Sequence, residues 1–518
     1  MLRRRDEAEG SEAPAVVRLS ASCVVGRPLR ADATGTLVAA DPVAVRIAGG
    51  RIVAVVPLAS RGAPSPADAV LGDGAALLLP AFADPHLHLV ACAADRAGLD
   101  VSRPRPGTIA ALLERLTVAA RALPAGTWQR ASGYDEAWLA ERRHPGRAEL
   151  DRAVPRHPLR LRHATRHASL LNALAFARLE QALGALDPER APRDRHGVPI
   201  GIVYGLEPEI TRVVGPLEAP VLRQALRDVG AELAAHGVVH LDEVTASNDA
   251  ARIALLASAV DDGALPQQIR VYVGDADEVA AARRAARGRL AVAGVKLLAR
   301  SADEVHAPEF RARLVGARRC GLPVAVHAVD ADVVAAVLDA LRDAPPRAGG
   351  AGPSPDRLEH CSLCPPELAH RIAAAGVAVV TQPAFLALRG VKYVREVEPP
   401  LWPWLYPLRA LRAAGVLVAG SSDAPVVPFD PRLGLDGACR RQDSDGAVLA
   451  PGETLDDGAA LDLFTGAAAR LRGANGPSGI DVGAPADLLV AEPGFLRASA
   501  DWRALRVRHT LSAGRPIT

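Results

Sequence analysis

Eight short apolar runs, separated by Ala-rich stretches with apolar residues at three- and four-residue spacing, constrain this chain more than any other feature. The runs are LLLPAFADPHLHL (77–89), GVVHLDEV (237–244), QIRVYVG (268–274), GVKLL (294–298), PVAVHAV (323–329), RLEHC (357–361), VAVVTQP (377–383) and VLVAGSSD (416–423). The stretches between them, such as DADVVAAVLDALRDA (330–344), carry helical periodicity. Strand alternating with helix builds a parallel sheet, and eight such units close a (β/α)8 barrel of the TIM type. The barrel is expected over 78–477. Some 150 residues part the first two runs, far more than one βα loop spans. An insertion with structure of its own is therefore expected at about 95–232, including the strand-like PLRLRHAT (158–165).

The ends differ from the middle. Residues 1–14 are polar and expected to be disordered. The span 15–77 is β-rich, with Gly49-Gly50 turning a hairpin inside VAVRIAGGRIVAVV. A second β-rich span covers 478–518.

The chemistry-bearing residues stand at the ends of the runs. His86 and His88 are two apart, so a strand projects both rings to one side, close enough to share a metal ion. Lys296, His327, His360 and Asp423 each lie at or near the C-terminal end of a later run, where a parallel barrel keeps its active site. A carboxylate at Asp423 could hold water and take its proton, or simply cap the following helix. Lys296 as an ordinary ammonium repels a divalent cation and has no lone pair to donate. A buried lysine has a depressed pKa and becomes nucleophilic.

In that chain order, His-x-His, Lys, His, His and Asp resemble the amidohydrolase superfamily. The chain is further similar to its branch of YtcJ-like and N-substituted formamide deformylase proteins, amidohydrolase family 3. GYDEAW (133–138), HPGRAELD (144–151), DRLEHCSLCPPEL (356–368), VVTQPAFL (379–386), YPLRALRAAGV (406–416) and GAPADLLV (483–490) carry the likeness from about residue 40 onward. The resemblance implies that both chain ends meet in a small β-sandwich beside the barrel. It implies that His86, His88, Lys296, His327, His360 and Asp423 hold one or two divalent metals per chain, with zinc expected, and that Asp423 is also the general base. For Lys296 it implies a carbamate bridging two metals; the alternatives are pairing to a carboxylate or touching substrate in a one-metal site. The implied reaction is hydrolysis of a carbon–nitrogen bond other than a peptide bond, in an amide, N-acyl compound or cyclic amide. Hydrolytic deamination, ester or phosphoester cleavage and a non-catalytic scaffold are the alternatives.

Substrate contacts are sought in the insertion. RLRHATRHASLLNALAF (160–176) resembles the branch's pocket-forming segment, with His167 and Asn172 at matching positions, but it has Thr165-Arg166 in place of Asp-Gly and adds His163. His163, His167, Arg166, Tyr134 of GYDEAW and Trp402 are the candidate substrate contacts. Tyr393, Trp402, Trp404 and Tyr406 cluster in the Pro-rich loop after the seventh run, as a wall or lid of the pocket or as packing onto the insertion. Arg166 and Arg300 add permanent cations, which suggest an acidic amide substrate. In the second run, His236 and His240 read as a helix end and a strand residue, and Asp242 or Glu243 as a candidate to face the pocket.

Composition excludes other classes. Sixty-one basic and 59 acidic residues leave +2, which offers no electrostatic hold on nucleic acid or an anionic membrane. No long uncharged apolar stretch reads as a membrane span, and Arg3-Arg4-Arg5 is followed by Asp6, Glu7 and Glu9 rather than by a signal-peptide core. The six cysteines are dispersed, as in reduced cytoplasmic proteins; Cys361-x2-Cys364 has no second pair with which to form a zinc knuckle. The expected partner is a small-molecule substrate, the expected location the cytoplasm, and a homodimer is compatible with the sequence.

Overall fold

The computed structural model describes residues 22–59, 69–102, 106–166, 168–350, 352–496 and 499–518. The tail expected to be disordered (1–14) and His167 lie outside the described residues.

Eight parallel strands form the barrel: β1 (Phe82–Leu87), β2 (Val238–Glu243), β3 (Gln268–Val273), β4 (Leu290–Leu298), β5 (Val324–Ala328), β6 (Arg357–His360), β7 (Ala378–Thr381) and β8 (Val418–Gly420). Each pairs with the next in chain order. The ring is closed just past the end of β8: Asp423 N–H donates to the His86 carbonyl at 2.8 Å and His88 N–H to that of Ala424 at 2.8 Å. Those two bonds bring the Asp423 segment against the His-x-His segment.

The first apolar run is divided. Val70–Pro80 belongs to a sheet built from both chain ends, and β1 begins after the single residue Ala81. In that sheet Val70–Pro80 lies between Cys23–Ala31 and Leu488–Ala491. Period-two alternation explains the division of labour. Leu78 turns into the sheet's own apolar cluster with Val24, Val45 and Val490, while Leu77 and Leu79 turn towards the barrel cluster with Phe82 and Leu489.

Between β1 and β2 the insertion forms a five-stranded sheet, ordered 202–204, 168–171, 159–163, 129–134 and 99–100. The run 158–165 supplies its central strand, Leu159–His163. Among the described residues no helix is long and apolar enough to cross a membrane, and all six cysteines are free.

Candidate metal centre

His86 is the penultimate residue of β1, and His88 is the N-cap of helix Leu89–Arg96, which follows directly. Lys296 stands on β4, His327 on β5 and His360 at the end of β6. Asp423 follows β8 in the closing segment. His360 and Asp423 both take left-handed backbone conformations, φ 73° and 58°, which are costly for non-glycine residues and turn the side chains at the strand ends.

The structure brings these residues together. One Asp423 oxygen lies 3.4 Å from Nε2 of His86 and 3.2 Å from Nε2 of His88. The His86 and His360 rings are 5.0 Å apart, and those of His327 and His360 4.6 Å. Donor atoms of His86, His360 and Asp423 fall within 4.8 Å of one another. His86, His360, Lys296 and Asp423 are buried, whereas the His88 side chain is 25% exposed and marks the mouth.

Whether these groups suit a metal is decided by their other hydrogen bonds. A ligating imidazole is held through the nitrogen that does not bind metal. His86 donates from Nδ1 to the Glu359 carboxylate, His88 Nδ1 meets Thr245 Oγ1 at 2.9 Å, and His360 Nδ1 donates to Gln382 Oε1 at 2.9 Å. The Nδ1 bonds of His86 and His360 leave Nε2 of each ring as the nitrogen for a metal, and Nε2 of His86 and His88 faces Asp423. Burial and the neighbouring His360 and Lys296 push His327 down to about 2, and burial leads the fall of His360 to about 4, so both rings are neutral. Burial alone would raise Asp423, but the facing His86, His88 and His360 hold it well below the usual carboxylate range. The set fits a divalent cation.

Lys296 Nζ is buried and has no hydrogen-bond partner among the described residues. Burial, against the pull of Glu359, brings its pKa down to about 8.

Sequence reasoning missed what lies beneath. Glu359 accepts from Arg357 Nε at 2.6 Å, and Arg357 also donates to Asp242 at 2.7 Å and to the Pro85 carbonyl at 2.9 Å. Asp242 is further held by Arg270 and Arg472. Glu243 accepts from Leu89 N–H at the start of helix Leu89–Arg96 and from Thr245 N–H at 2.8 Å. Asp242 and Glu243 are thus engaged in supporting the site from inside the barrel. The adjacency of Glu359 to His360 was the one available signal.

The insertion candidates bond chiefly to one another and to nearby acidic groups. His163 bonds Glu136 through Nε2 at 2.8 Å, and Tyr134 reaches His144 at 3.2 Å. Asp135, Glu136 and His163 could in principle hold a second ion. However, Thr165 N–H donates to His163 Nδ1 at 3.1 Å, which leaves the ring proton on Nε2, facing Glu136. That proton makes the group a hydrogen-bonded cluster rather than a metal cage. Arg166 is ion-paired with Asp95, and Arg300 lies on the surface beside Glu304. Trp402 donates to the Val397 carbonyl at 2.9 Å and packs against the cluster of Phe385, Leu405 and Tyr406.

A family model described as "Amidohydrolase family" matches residues 75–518. N-substituted formamide deformylase of Arthrobacter pascens is 27% identical over 522 residues, covering 91% of this chain and 94% of that protein. The Bacillus subtilis (strain 168) protein YtcJ is 26% identical over 424 residues, covering 75% and 79%. In fold, the chain is similar to an uncharacterized metal-dependent hydrolase from Pyrococcus horikoshii, with a TM-score of 0.69 and 21% identity over 91% of this chain and 97% of that one.

Proposed function

Given that this chain belongs to the amidohydrolase family, we propose that it is a metal-dependent hydrolase that cleaves a non-peptide carbon–nitrogen bond in an amide, N-acyl compound or cyclic amide. The observation that carries this reading is the Asp423 carboxylate set against Nε2 of His86 and of His88, each ring tied through Nδ1 to a separate partner. His86, His88, His327, His360 and Asp423 would hold the metal, with zinc proposed; Lys296, as a carbamate, would complete a two-metal centre. When bound, a divalent metal polarises a carbonyl and brings the ionisation of water from a pKa of about 15.7 to near 7.

The chain's own groups do the rest. Asp423, an ionised carboxylate, takes the proton of the attacking water and returns it to the departing nitrogen, which leaves as an amine. Glu359 keeps the His86 proton on Nδ1, and Gln382 does the same for His360. The neutral Lys296 amine is the form that attacks CO2: a nitrogen–carbon bond forms, a proton leaves, and the ammonium is replaced by a carboxylate-like group.

The reading is tested by elemental analysis of purified protein together with a screen of amides and N-acyl compounds. One to two metals per chain are expected. Replacing His86 and His88 together by Ala should remove both metal and activity; stoichiometric metal in that double variant would overturn the assignment.

A further inference from the structure

One face of the insertion sheet is not packed like a core. Alternation along its strands sends Ala131, Leu159 and Leu161 into an apolar cluster and turns Arg130, Ser132, Arg160 and Arg162 to the opposite side. Helix Leu89–Arg96 brings Asp95 to that side, and helix Glu207–Val214 brings Glu207. Between them lies a cleft of about 40 Å³, lined by Asp95, Arg130, Ser132, Arg160 and Arg162.

The charges of this cluster do not balance. Glu207 pairs with both Arg160 and Arg162, and Asp95 with both Arg162 and Arg166. Arg130 has no carboxylate partner among the described residues; it donates instead to the carbonyls of Val214, Gly215 and Pro216. Four guanidiniums thus share two carboxylates, an excess of two positive charges. Arg160 is only 7% exposed, and its Nε has no acceptor. A buried donor without a partner is costly, and Arg130 is a half-buried cation without a carboxylate.

We propose that this cleft is a binding site for a small tetrahedral oxyanion of the phosphate class. Such an anion supplies about two negative charges at neutral pH and several acceptor oxygens, which the guanidinium forks match. Arg130 and the Arg160 Nε–H are among the donors available to it. The cleft adjoins the helix whose N-cap is His88, so its occupant sits one short helix away from the candidate metal centre.

The test uses the full chain and thermal unfolding at constant ionic strength, with sodium chloride as the reference. Inorganic phosphate and glycerol phosphate form two arms, which separate a free anion from a phosphate carried on a larger molecule. At least one arm should stabilise saturably, and calorimetry should give one site per chain. At a concentration 100-fold above Kd the folded-to-unfolded ratio rises about 100-fold. Arg130→Gln should abolish the effect. Ser132→Asp places a carboxylate in the cleft, so it should raise the Tm without phosphate and remove the response to it. A response no greater than that to chloride in both arms, or one that persists in Ser132→Asp, would overturn the proposal.

Discussion

Glu359 is hydrogen-bonded to Nδ1 of His86 on one side and held by Arg357 on the other. The carboxylate thus transmits the rigidity of the barrel interior to a candidate metal ligand. Partners of this kind are worth about 10–100-fold in metal affinity. Glu359→Gln should weaken metal binding by about that factor, measured by chelator competition, while Gln at the remote surface position Glu304 should not. Equal affinities in the two variants would remove Glu359 from the site.

Asp423→Asn tests the proton acceptor. The amide keeps the shape and a weak donor oxygen but cannot take a proton. Turnover should fall about 10²–10⁴-fold with the metal largely retained. A variant within threefold of the parent would place the base elsewhere.

Lys296→Ala should lose metal and regain part of its activity when a short carboxylic acid is supplied, because the acid stands in for the carbamate. No rescue at any acid concentration, with metal still bound, would favour a one-metal site in which Lys296 is not a ligand.

Asp242 contributes to the acid limit of the fold. Burial would raise its pKa, but Arg270, Arg472 and Arg357 together hold the carboxyl well below its ordinary 3.8. A folded pKa below the unfolded one contributes stability that is complete above about pH 4–5 and is lost as pH falls further. Below about pH 7 the buried neutral His327 and His360 already lower the Tm, because the unfolded chain takes up protons that they refuse. The Asp242 contribution should add a steeper drop below about pH 5, and Asp242→Asn should flatten that part while lowering stability by about 3–5 kcal/mol at neutral pH. An acid slope unchanged by the substitution would show that other carboxylates govern it.

The barrel was legible in the sequence because its outward faces are apolar. Val324, Val326 and Ala328 on β5, for example, read plainly as a buried strand. Less legible was the barrel's inside, where Arg357, Glu359 and Asp242 are buried as an ion network. A charged residue inside an apolar run reads as an exposed position until its partner, often a hundred residues away, is known. Asp242 and Arg357 are one such pair. The candidate ligands stood out by position, since each lies at or near the C-terminal end of a barrel strand. The insertion cations were harder, because a sequence shows a guanidinium but not the carboxylate it meets: Arg166 is held by Asp95, 71 residues earlier. The break at Ala81 was hidden too, since both sheets want leucines there.

That break has a bearing on biosynthesis. β1, which carries His86, is joined by one residue to Val70–Pro80, and that strand is flanked on one side by Leu488–Ala491. A ribosome emits Leu488–Ala491 some four hundred residues after the histidines it helps to anchor. The nascent chain therefore exposes an unpaired strand edge until Leu488–Ala491 has been made, and only then does the His-x-His segment gain that support. A chain cut before Leu488 should emerge with every candidate ligand and still aggregate.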